Sequence, residues 1–188
     1  MFDPLARLKS YFSEMKARGD NTHICLTTLS PDGFPNSRFV DLKGITDWSL
    51  LFGTDQRSIK AQEFFAVNRV SACLWWEAIG IQVRMKGSVR RGSDELSDRT
   101  FAERNRVAKA IASLSIQSQE LKDEHGLRAG ISEYLSDTGR TTERPPTWFV
   151  FEILPMEIEI LEFKEDRFHA RTLYRPADNG WRTTRLNP

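Results

Sequence analysis

The sequence predicts an α+β fold, in which one antiparallel β-barrel carries a few peripheral helices. Short apolar or alternating segments of strand length recur between turn signals, and few helices separate them, which favours antiparallel pairing. Helical periodicity gathers at the start, after the third strand and in one block over residues 93–138. With 188 residues, the chain is expected to form a single domain over 1–188, with 93–138 as a helical insertion.

The first expected element is a helix that begins at Asp3-Pro4, a capping carboxylate followed by proline in the first turn. Apolar residues follow at helical spacing until Gly19, so the helix should bury one stripe. These residues are Leu5, Leu8, Phe12 and Met15.

A β-rich half follows this helix. Residues 70–76 are almost continuously apolar, as in a fully buried strand, whereas 81–89 alternate as in a half-buried one. The turn Pro31-Asp32-Gly33 predicts a hairpin. The expected elements are strands over 24–29, 37–45, 48–54, 70–76 and 81–89, and a helix over 57–67.

The second half is expected to be helical first and then extended. Ser93-Asp94-Glu95 resembles a helix start with acidic first-turn residues. The expected elements are helices over 94–104, 105–114 and 117–135, broken near Gly126, a polar loop over 140–146, and strands over 148–154, 157–163, 167–174 and 181–185.

The overall composition excludes several classes of protein. A net charge of +1 argues against a general nucleic-acid binder, and no apolar run reaches the length of a membrane span. Residues 1–4 lack a basic region followed by an apolar stretch, so we expect no secretory signal. Cys25 and Cys73 are expected to be buried thiols in a reducing, cytoplasmic compartment, and no metal site is expected.

A basic pattern near the C-terminus is the first candidate site. In a strand, Arg167, His169 and Arg171 would share one face. This face is either a solvated outer surface or a binding site for a phosphorylated or carboxylated ligand, with His169 near the chemistry.

The second candidate site is the strand from Ser37 to Lys43. Arg38 would share a face with core-type residues, which requires a buried anion unless the strand lies at the surface. Asp41 could be the partner of Arg38 only across a bulge, because it points to the other face.

Two expected helix starts offer further donors. Ser58 and Lys60 follow a strand end, where they would either hold an anion or stand beside ordinary capping by Thr54 or Asp55. Gln117-Ser118 is also expected to open a helix, with capping as the simpler interpretation.

The order of these motifs resembles the pyridoxine/pyridoxamine 5′-phosphate oxidase family, which are FMN-dependent enzymes of the split-barrel fold. The likeness extends from about residue 22 to Pro188, and its C-terminal part is the most specific. The matching positions are Arg38-x-Val40-x-Leu42-Lys43, Ser58-x-Lys60-Ala61, Gln82-Val83, Gly87, Gln117-Ser118, Arg167-x-His169-x-Arg171, Leu173-Tyr174, Trp181 and Arg185-Leu186-Asn187-Pro188.

The resemblance implies a six-stranded antiparallel split β-barrel and a homodimer with FMN at the subunit interface. It assigns the FMN phosphate to Arg38, Lys60 and Ser118. The flavin ring would be lined by Phe39, Val40, Asp41, Leu42, Lys43, Gly53 and Thr54, with further contacts from Gln82, Gln117, Leu161 and Arg171. The substrate phosphate would lie near Lys43, Thr100 and Arg104.

The activity implied by the resemblance is oxidation of pyridoxamine or pyridoxine 5′-phosphate to pyridoxal 5′-phosphate. Hydride would pass from the 4′ carbon of the substrate to flavin N5, and O2 would reoxidise the flavin to give hydrogen peroxide. Arg167 would cover the reacting carbon and polarise its substituent, and His169 would orient the pyridine ring.

Several positions depart from the family pattern. Ile59 stands in place of an arginine, Leu161 in place of a tryptophan, Thr100 and Ala108 in place of a tyrosine and a serine, and 148–150 read Trp-Phe-Val instead of Trp-Gly-Gly. Losing two phosphate contacts would weaken that ligand by about 2–6 kcal/mol. The alternatives are therefore a related FMN enzyme with another substrate, such as a phenazine, a non-catalytic protein that binds FMN or pyridoxal phosphate, and a flavin-free barrel used for association.

Overall fold

The computed structural model describes residues 3–139 and 141–188. Its helices are α1 (Pro4–Arg18), α2 (Ile59–Ala66), α3 (Asp94–Ala102), α4 (Arg106–Leu114) and α5 (Glu124–Ser136), with one 3₁₀ turn over Glu77–Ile79. Its strands are β1 (His23–Leu29), β2 (Pro35–Ile45), β3 (Leu50–Asp55), β4 (Val70–Trp76), β5 (Ile81–Arg91), β6 (Trp148–Glu162), β7 (Ala170–Ala177) and β8 (Gly180–Leu186).

The eight strands form one antiparallel sheet in the order β3-β2-β1-β4-β5-β6-β7-β8. A further pairing of β3 with β6 closes the first six strands into a barrel, and β7 and β8 extend the sheet beyond it. The predicted antiparallel six-stranded barrel is thus confirmed. Among the described residues, no helix has both the length and the apolar character needed to cross a bilayer.

The barrel core is aromatic, and α1 packs its apolar stripe against it. Phe52, Phe64 and Phe151 contact one another with ring centroids 4.9–6.2 Å apart. The start and end of α1 are as predicted, because Asp3 accepts a hydrogen bond from the Leu5 amide and Gly19 adopts a left-handed φ of 73°.

Two predicted strands are in fact the single long strand β6. Its first half pairs with β3 to close the barrel, and its second half pairs with β7. Pro155 did not end the strand, since it lies where the β5–β6 register shifts. The opposing Gly87 is required there, because a Cβ would lie 2.3 Å from the Leu154 carbonyl oxygen.

The strand predicted over 167–174 is wrong at its start. β7 begins at Ala170, and Arg167 lies in a turn with a φ of 63°. The preceding polar residues form this turn: the Arg167 amide donates to the Lys164 carbonyl at 3.1 Å, and the Phe168 amide donates to Asp166 at 2.9 Å. Arg167, His169 and Arg171 therefore do not share one strand face.

Other expectations also need correction. Gln117 and Ser118 do not open a helix, because α5 begins at Glu124 after the capping side chain of Asp123. Cys25 and Cys73 are half-buried neighbours on adjacent strands and not core residues. Residues 141–146 of the predicted loop contain no helix or strand. Arg140 lies outside the described residues, and so do residues 1 and 2, which are part of the segment expected to lack a secretory signal.

Candidate functional site

The site is built along an open edge of β2. β2 pairs with β1 over 35–41, but its pairing with β3 runs only from Leu42 to Ile45. Residues 36–41 therefore present their second edge to a cavity of about 770 Å³. Backbone amide and carbonyl groups on such an edge need partners, so this edge is suited to holding a polar flat ligand.

Most of the residues predicted for the cofactor lie around this cavity. Leu42 points instead into the core, and Thr100 is buried within α3 away from the cavity. The predicted residues that line the cavity are Arg38, Phe39, Val40, Asp41, Lys43, Gly53, Thr54, Lys60, Arg104, Gln117 and Ser118.

Arg38 has the buried anion that its core-facing position requires. This anion is Glu63 on α2, whose carboxylate lies 3.1 Å from the Arg38 guanidinium and is 3% exposed. Burial raises the pKa of Glu63, but hydrogen bonds from Thr28, Asn36 and Arg38 outweigh it and hold the pKa below its usual value. Asp41, the partner considered from sequence, bonds other residues.

Lys60 is a buried cation that forms no ion pair with any described residue. It is 6% exposed, and its ammonium contacts the Thr54 hydroxyl at 3.2 Å. Burial, with the nearby charge of Arg38, lowers the pKa of Lys60 to about 8. Within the described part of the chain, no carboxylate lies at ion-pair distance from Lys60, so the site fits an added anion.

The start of α2 adds backbone donors beside Lys60. The side chain of the N-cap residue Ser58 makes no capping hydrogen bond, whereas Asp55, one of the two capping residues considered from sequence, accepts from the Arg57 amide at 2.8 Å in the preceding turn. Thr54 links this helix start to the 115–118 segment, since its hydroxyl donates to the Gln117 side chain at 2.8 Å. Ser118 holds a left-handed φ of 70°, a strained conformation of the kind found in ligand-binding segments.

Arg104 and Trp148 form another wall of the cavity. The Arg104 guanidinium lies 5.1 Å from the Trp148 ring and donates to the Ala108 carbonyl at 3.1 Å. Its Nε is buried and has no hydrogen-bond partner among the described residues, and burial lowers the pKa of Arg104. Gly53 is required beneath Trp148, because a Cβ would lie 2.3 Å from Trp148 Cζ2. The Arg104 guanidinium therefore brings a positive charge to this wall of the cavity.

The remaining predicted residues form a separate group, the outer row. Gln82, Leu161 and Arg171 lie opposite one another across β5, β6 and β7, and Arg171 pairs with Glu159 at 2.8 Å. None of the row lines the cavity. In this single chain, the structure does not bring the row to the β2 edge.

His169 and Arg167 lie beside the outer row, in the loop between β6 and β7. The His169 ring packs on Phe163 at 4.6 Å, and Phe163 packs on Trp75 at 4.8 Å. His169 Nδ1 accepts a hydrogen bond from the Lys164 amide at 3.1 Å, so the neutral ring carries its proton on Nε2. Arg167 and His169 likewise do not line the cavity.

Sequence reasoning missed several residues of the site, among them Glu63 and His23. Glu63 could not be identified, because only the fold brings α2 under β2. His23 lines the cavity and its Nε2 lies 2.7 Å from Asp41 Oδ1. The hairpin register could have found this pair, since His23 and Asp41 both belong to the alternating outer faces of β1 and β2.

Comparison with known proteins identifies the family. Residues 14–136 match the model described as pyridoxamine 5′-phosphate oxidase, and 148–188 match the pyridoxine 5′-phosphate oxidase C-terminal dimerisation region. A pyridoxine/pyridoxamine 5′-phosphate oxidase of Roseobacter denitrificans is 32% identical over 99% of this chain and 94% of the relative. One of Rubrobacter xylanophilus is 34% identical over 99% of this chain and 87% of the relative.

Two solved structures share the fold. PhzG from Burkholderia lata, solved with tetrahydrophenazine-1-carboxylic acid, superposes with a TM-score of 0.90 at 29% identity, covering 99% of this chain and 93% of that one. A pyridoxamine 5′-phosphate oxidase-related, FMN-binding protein from Nostoc punctiforme gives a TM-score of 0.81 at 20% identity, covering 100% of both chains, which supports the fold alone.

The family and the names of the relatives indicate an FMN-dependent oxidase of the pyridoxamine phosphate oxidase type. The resemblance stated from the sequence motifs is therefore confirmed. On the strength of the matching model and of full-length relatives above 30% identity, this chain belongs to the pyridoxamine 5′-phosphate oxidase family.

Proposed function

We propose that the protein oxidises pyridoxamine or pyridoxine 5′-phosphate to pyridoxal 5′-phosphate, with FMN as cofactor and O2 as acceptor. The observation that carries the proposal is the cavity along the β2 edge, which gathers four cationic side chains around about 770 Å³ in a chain of this family. These cations are Arg38, Lys43, Lys60 and Arg104.

The residues present fit FMN. Its phosphate would lie against Arg38, Lys60 and Ser118, where the buried ammonium lacks a carboxylate partner among the described residues and the start of α2 has no side-chain cap. The open edge from Phe39 to Asp41 would hydrogen-bond the ring. FMN, when bound, supplies the acceptor for a hydride and the reaction with O2.

The substrate is assigned to the other end of the cavity. Lys43 and the guanidinium of Arg104 would hold its anionic group and fix the position of its 4′ carbon. Arg167 would cover that carbon with its cationic guanidinium, and the Nε2–H of His169 would donate to the pyridine ring or its substituent.

We further propose a homodimer in which the partner supplies the outer row and the loop with Arg167 and His169. The proposal is supported by the dimerisation region matched over 148–188, which contains Leu161, Arg167, His169 and Arg171. It also explains why these residues lie away from the cavity of their own chain. Residues 1–188 would act as one domain, with the helical segment contributing Arg104, Gln117 and Ser118. The cytoplasm is the proposed compartment, because Cys25 and Cys73 are free thiols.

A specific observation favours a second candidate substrate. Thr100 and Ala108 offer no donor to the cavity, and the solved neighbour of 29% identity was crystallised with tetrahydrophenazine-1-carboxylic acid. A partly reduced phenazine carboxylate would use the same two cations. A non-catalytic flavin protein is the third candidate.

The test is anaerobic mixing of the FMN-loaded protein with pyridoxamine 5′-phosphate. Loss of the flavin absorption, and hydrogen peroxide released with pyridoxal 5′-phosphate after O2 is admitted, are the expected results. Flavin that is reduced only by a dihydrophenazine carboxylate would support the second candidate. Bound flavin that neither substrate reduces would support the third, and protein that stays colourless with FMN would reject all three.

A further inference from the structure

We propose that His23, held by Asp41, makes a hydrogen bond to the anionic oxygen of the substrate, beside Lys43 and Arg104. The inference rests on the proposed function, because it concerns the same cavity, and it adds a specificity-determining residue that the family resemblance does not assign.

The geometry places His23 at the substrate end of the cavity. His23 and Asp41 are direct neighbours across β1 and β2, with His23 Nε2 lying 2.7 Å from Asp41 Oδ1. The other oxygen of Asp41 accepts from Lys43 Nζ at 3.1 Å. His23, Asp41, Lys43 and Arg104 all line the cavity.

Asp41 determines which nitrogen of His23 is available. An ionised carboxylate only accepts hydrogen bonds, so Nε2 carries a proton and Nδ1 stays available to a ligand. Burial raises the pKa of Asp41, but Lys43 and His23 outweigh it and hold the pKa below its usual value, which keeps this carboxylate charged. In the doubly protonated ring, Nε2 donates to Asp41 and Nδ1 donates to the anion.

Two residues of the helical segment, Thr100 and Ala108, supply no side-chain donor to this end of the cavity. The Thr100 hydroxyl donates to the Leu96 carbonyl at 2.7 Å, within its own helix. Ala108 has no side-chain donor, and its amide donates to Asn105 at 2.8 Å. Lys43 is already bonded to Asp41, so His23 can supply a further donor to an anionic group beside Lys43 and Arg104, and its side chain is 48% exposed.

The ligand class is a planar aromatic with one anionic oxygen group, either a phosphate monoester or a carboxylate. Two matched pairs of probes distinguish these sources. 4′-Deoxypyridoxine 5′-phosphate is compared with 4′-deoxypyridoxine, and phenazine-1-carboxylate with phenazine. The ratio of dissociation constants within each pair is the anion preference, measured with FMN-loaded protein through the change in flavin fluorescence.

Three variants test the role of His23. His23→Ala removes the donor, His23→Gln keeps a hydrogen-bonding amide, and Thr27→Ala is the matched control. Thr27 bonds Ser37 across the same two strands at 2.8 Å, and neither residue lines the cavity. We expect His23→Ala to lower the anion preference about tenfold in one pair, with the neutral probe unaffected. His23→Gln should recover part of the loss, and Thr27→Ala should show none.

The outcomes separate this inference from the proposed function. Wild-type turnover of pyridoxamine 5′-phosphate, together with an undiminished anion preference in His23→Ala, overturns the role of His23 and leaves the oxidase standing. A lowered anion preference in His23→Ala, with no turnover of pyridoxamine 5′-phosphate by the wild type, supports the role of His23 and rejects pyridoxamine 5′-phosphate as the substrate. A wild-type protein that takes up no FMN, or that prefers neither anionic probe, overturns the inference.

Discussion

The buried ammonium of Lys60 makes FMN affinity sensitive to alkaline pH. Because burial and Arg38 lower the pKa of Lys60 to about 8, roughly nine tenths of the side chain is charged at pH 7 and about 3% at pH 9.5. A phosphate favours the charged form, so FMN binding takes up a proton and raises this pKa. The affinity for FMN is therefore highest below pH 8 and falls as the pH rises above 8.

The expected size follows from the titration. If only the ammonium form holds the phosphate, the dissociation constant of FMN should rise about 30-fold between pH 7 and pH 9.5. The total rise cannot exceed the contribution of one charge-assisted hydrogen bond to FMN affinity. Riboflavin lacks the phosphate, so its affinity reports every other effect of pH on the ring and the cavity. The ratio of the two affinities isolates Lys60.

The assay is fluorescence titration of the flavin-free protein with FMN and with riboflavin at both pH values. Lys60→Met keeps most of the side-chain stem, and in this variant the FMN-to-riboflavin ratio should be low already at pH 7 and independent of pH. A wild-type ratio that changes less than twofold over this range, or a Lys60→Met variant with the wild-type pH dependence, would refute the reasoning.

The same lowered pKa has a second consequence, for the flavin-free protein. The unfolded chain binds more protons than the folded one between pH 8 and the ordinary lysine pKa, so stability should rise with pH there. The gain is at most about 3 kcal/mol. Urea unfolding of wild type and Lys60→Met should diverge by this pH-dependent amount, and parallel curves would contradict it.

The remaining predictions concern separate parts of the site. Arg167→Ala should reduce turnover at least 100-fold with little change in FMN affinity, whereas Arg38→Ala should weaken FMN most; equal effects of both on FMN affinity would contradict the assigned roles. Glu63→Gln should cost about 3 kcal/mol in urea unfolding, because it removes the charge that pairs with Arg38 in a buried position, and a loss below 1 kcal/mol would show the pair to be dispensable. Gly53→Ala should destabilise the fold by about 1–3 kcal/mol through its clash with Trp148, and adding Trp148→Leu should relieve part of this loss; additive losses would exclude the clash.

Local sequence signals predicted much of the fold. The Asp3-Pro4 start, the apolar stripe and Gly19 located α1, because caps and helical spacing act over a few residues. These local signals failed where contacts between residues far apart in the chain determine the structure. Pro155 interrupts the local pattern, but β6 continues through it because β5 shifts register beside it, which no local pattern reports.

The candidate site divides in the same way. The position of Arg38 among core residues predicted a buried anion, since an unpaired buried charge is costly. The sequence could not name Glu63, which lies 25 residues further along the chain and meets Arg38 only when α2 packs under β2. The turn at Arg167 was also missed, because alternation cannot distinguish a strand from a polar turn stabilised by its own hydrogen bonds.

By itself, the sequence determined most of the strand and helix segments, the family and the types of side chain that could hold phosphate groups, because these depend on local pattern and on the order of motifs. The tertiary structure decided which of these side chains meet. The open β2 edge, the Glu63–Arg38 pair, the burial of Lys60 away from any described carboxylate partner and the separation of the outer row from the cavity all depend on contacts between segments far apart in the chain. Only packing sets the burial and charge environment that give each group its chemistry.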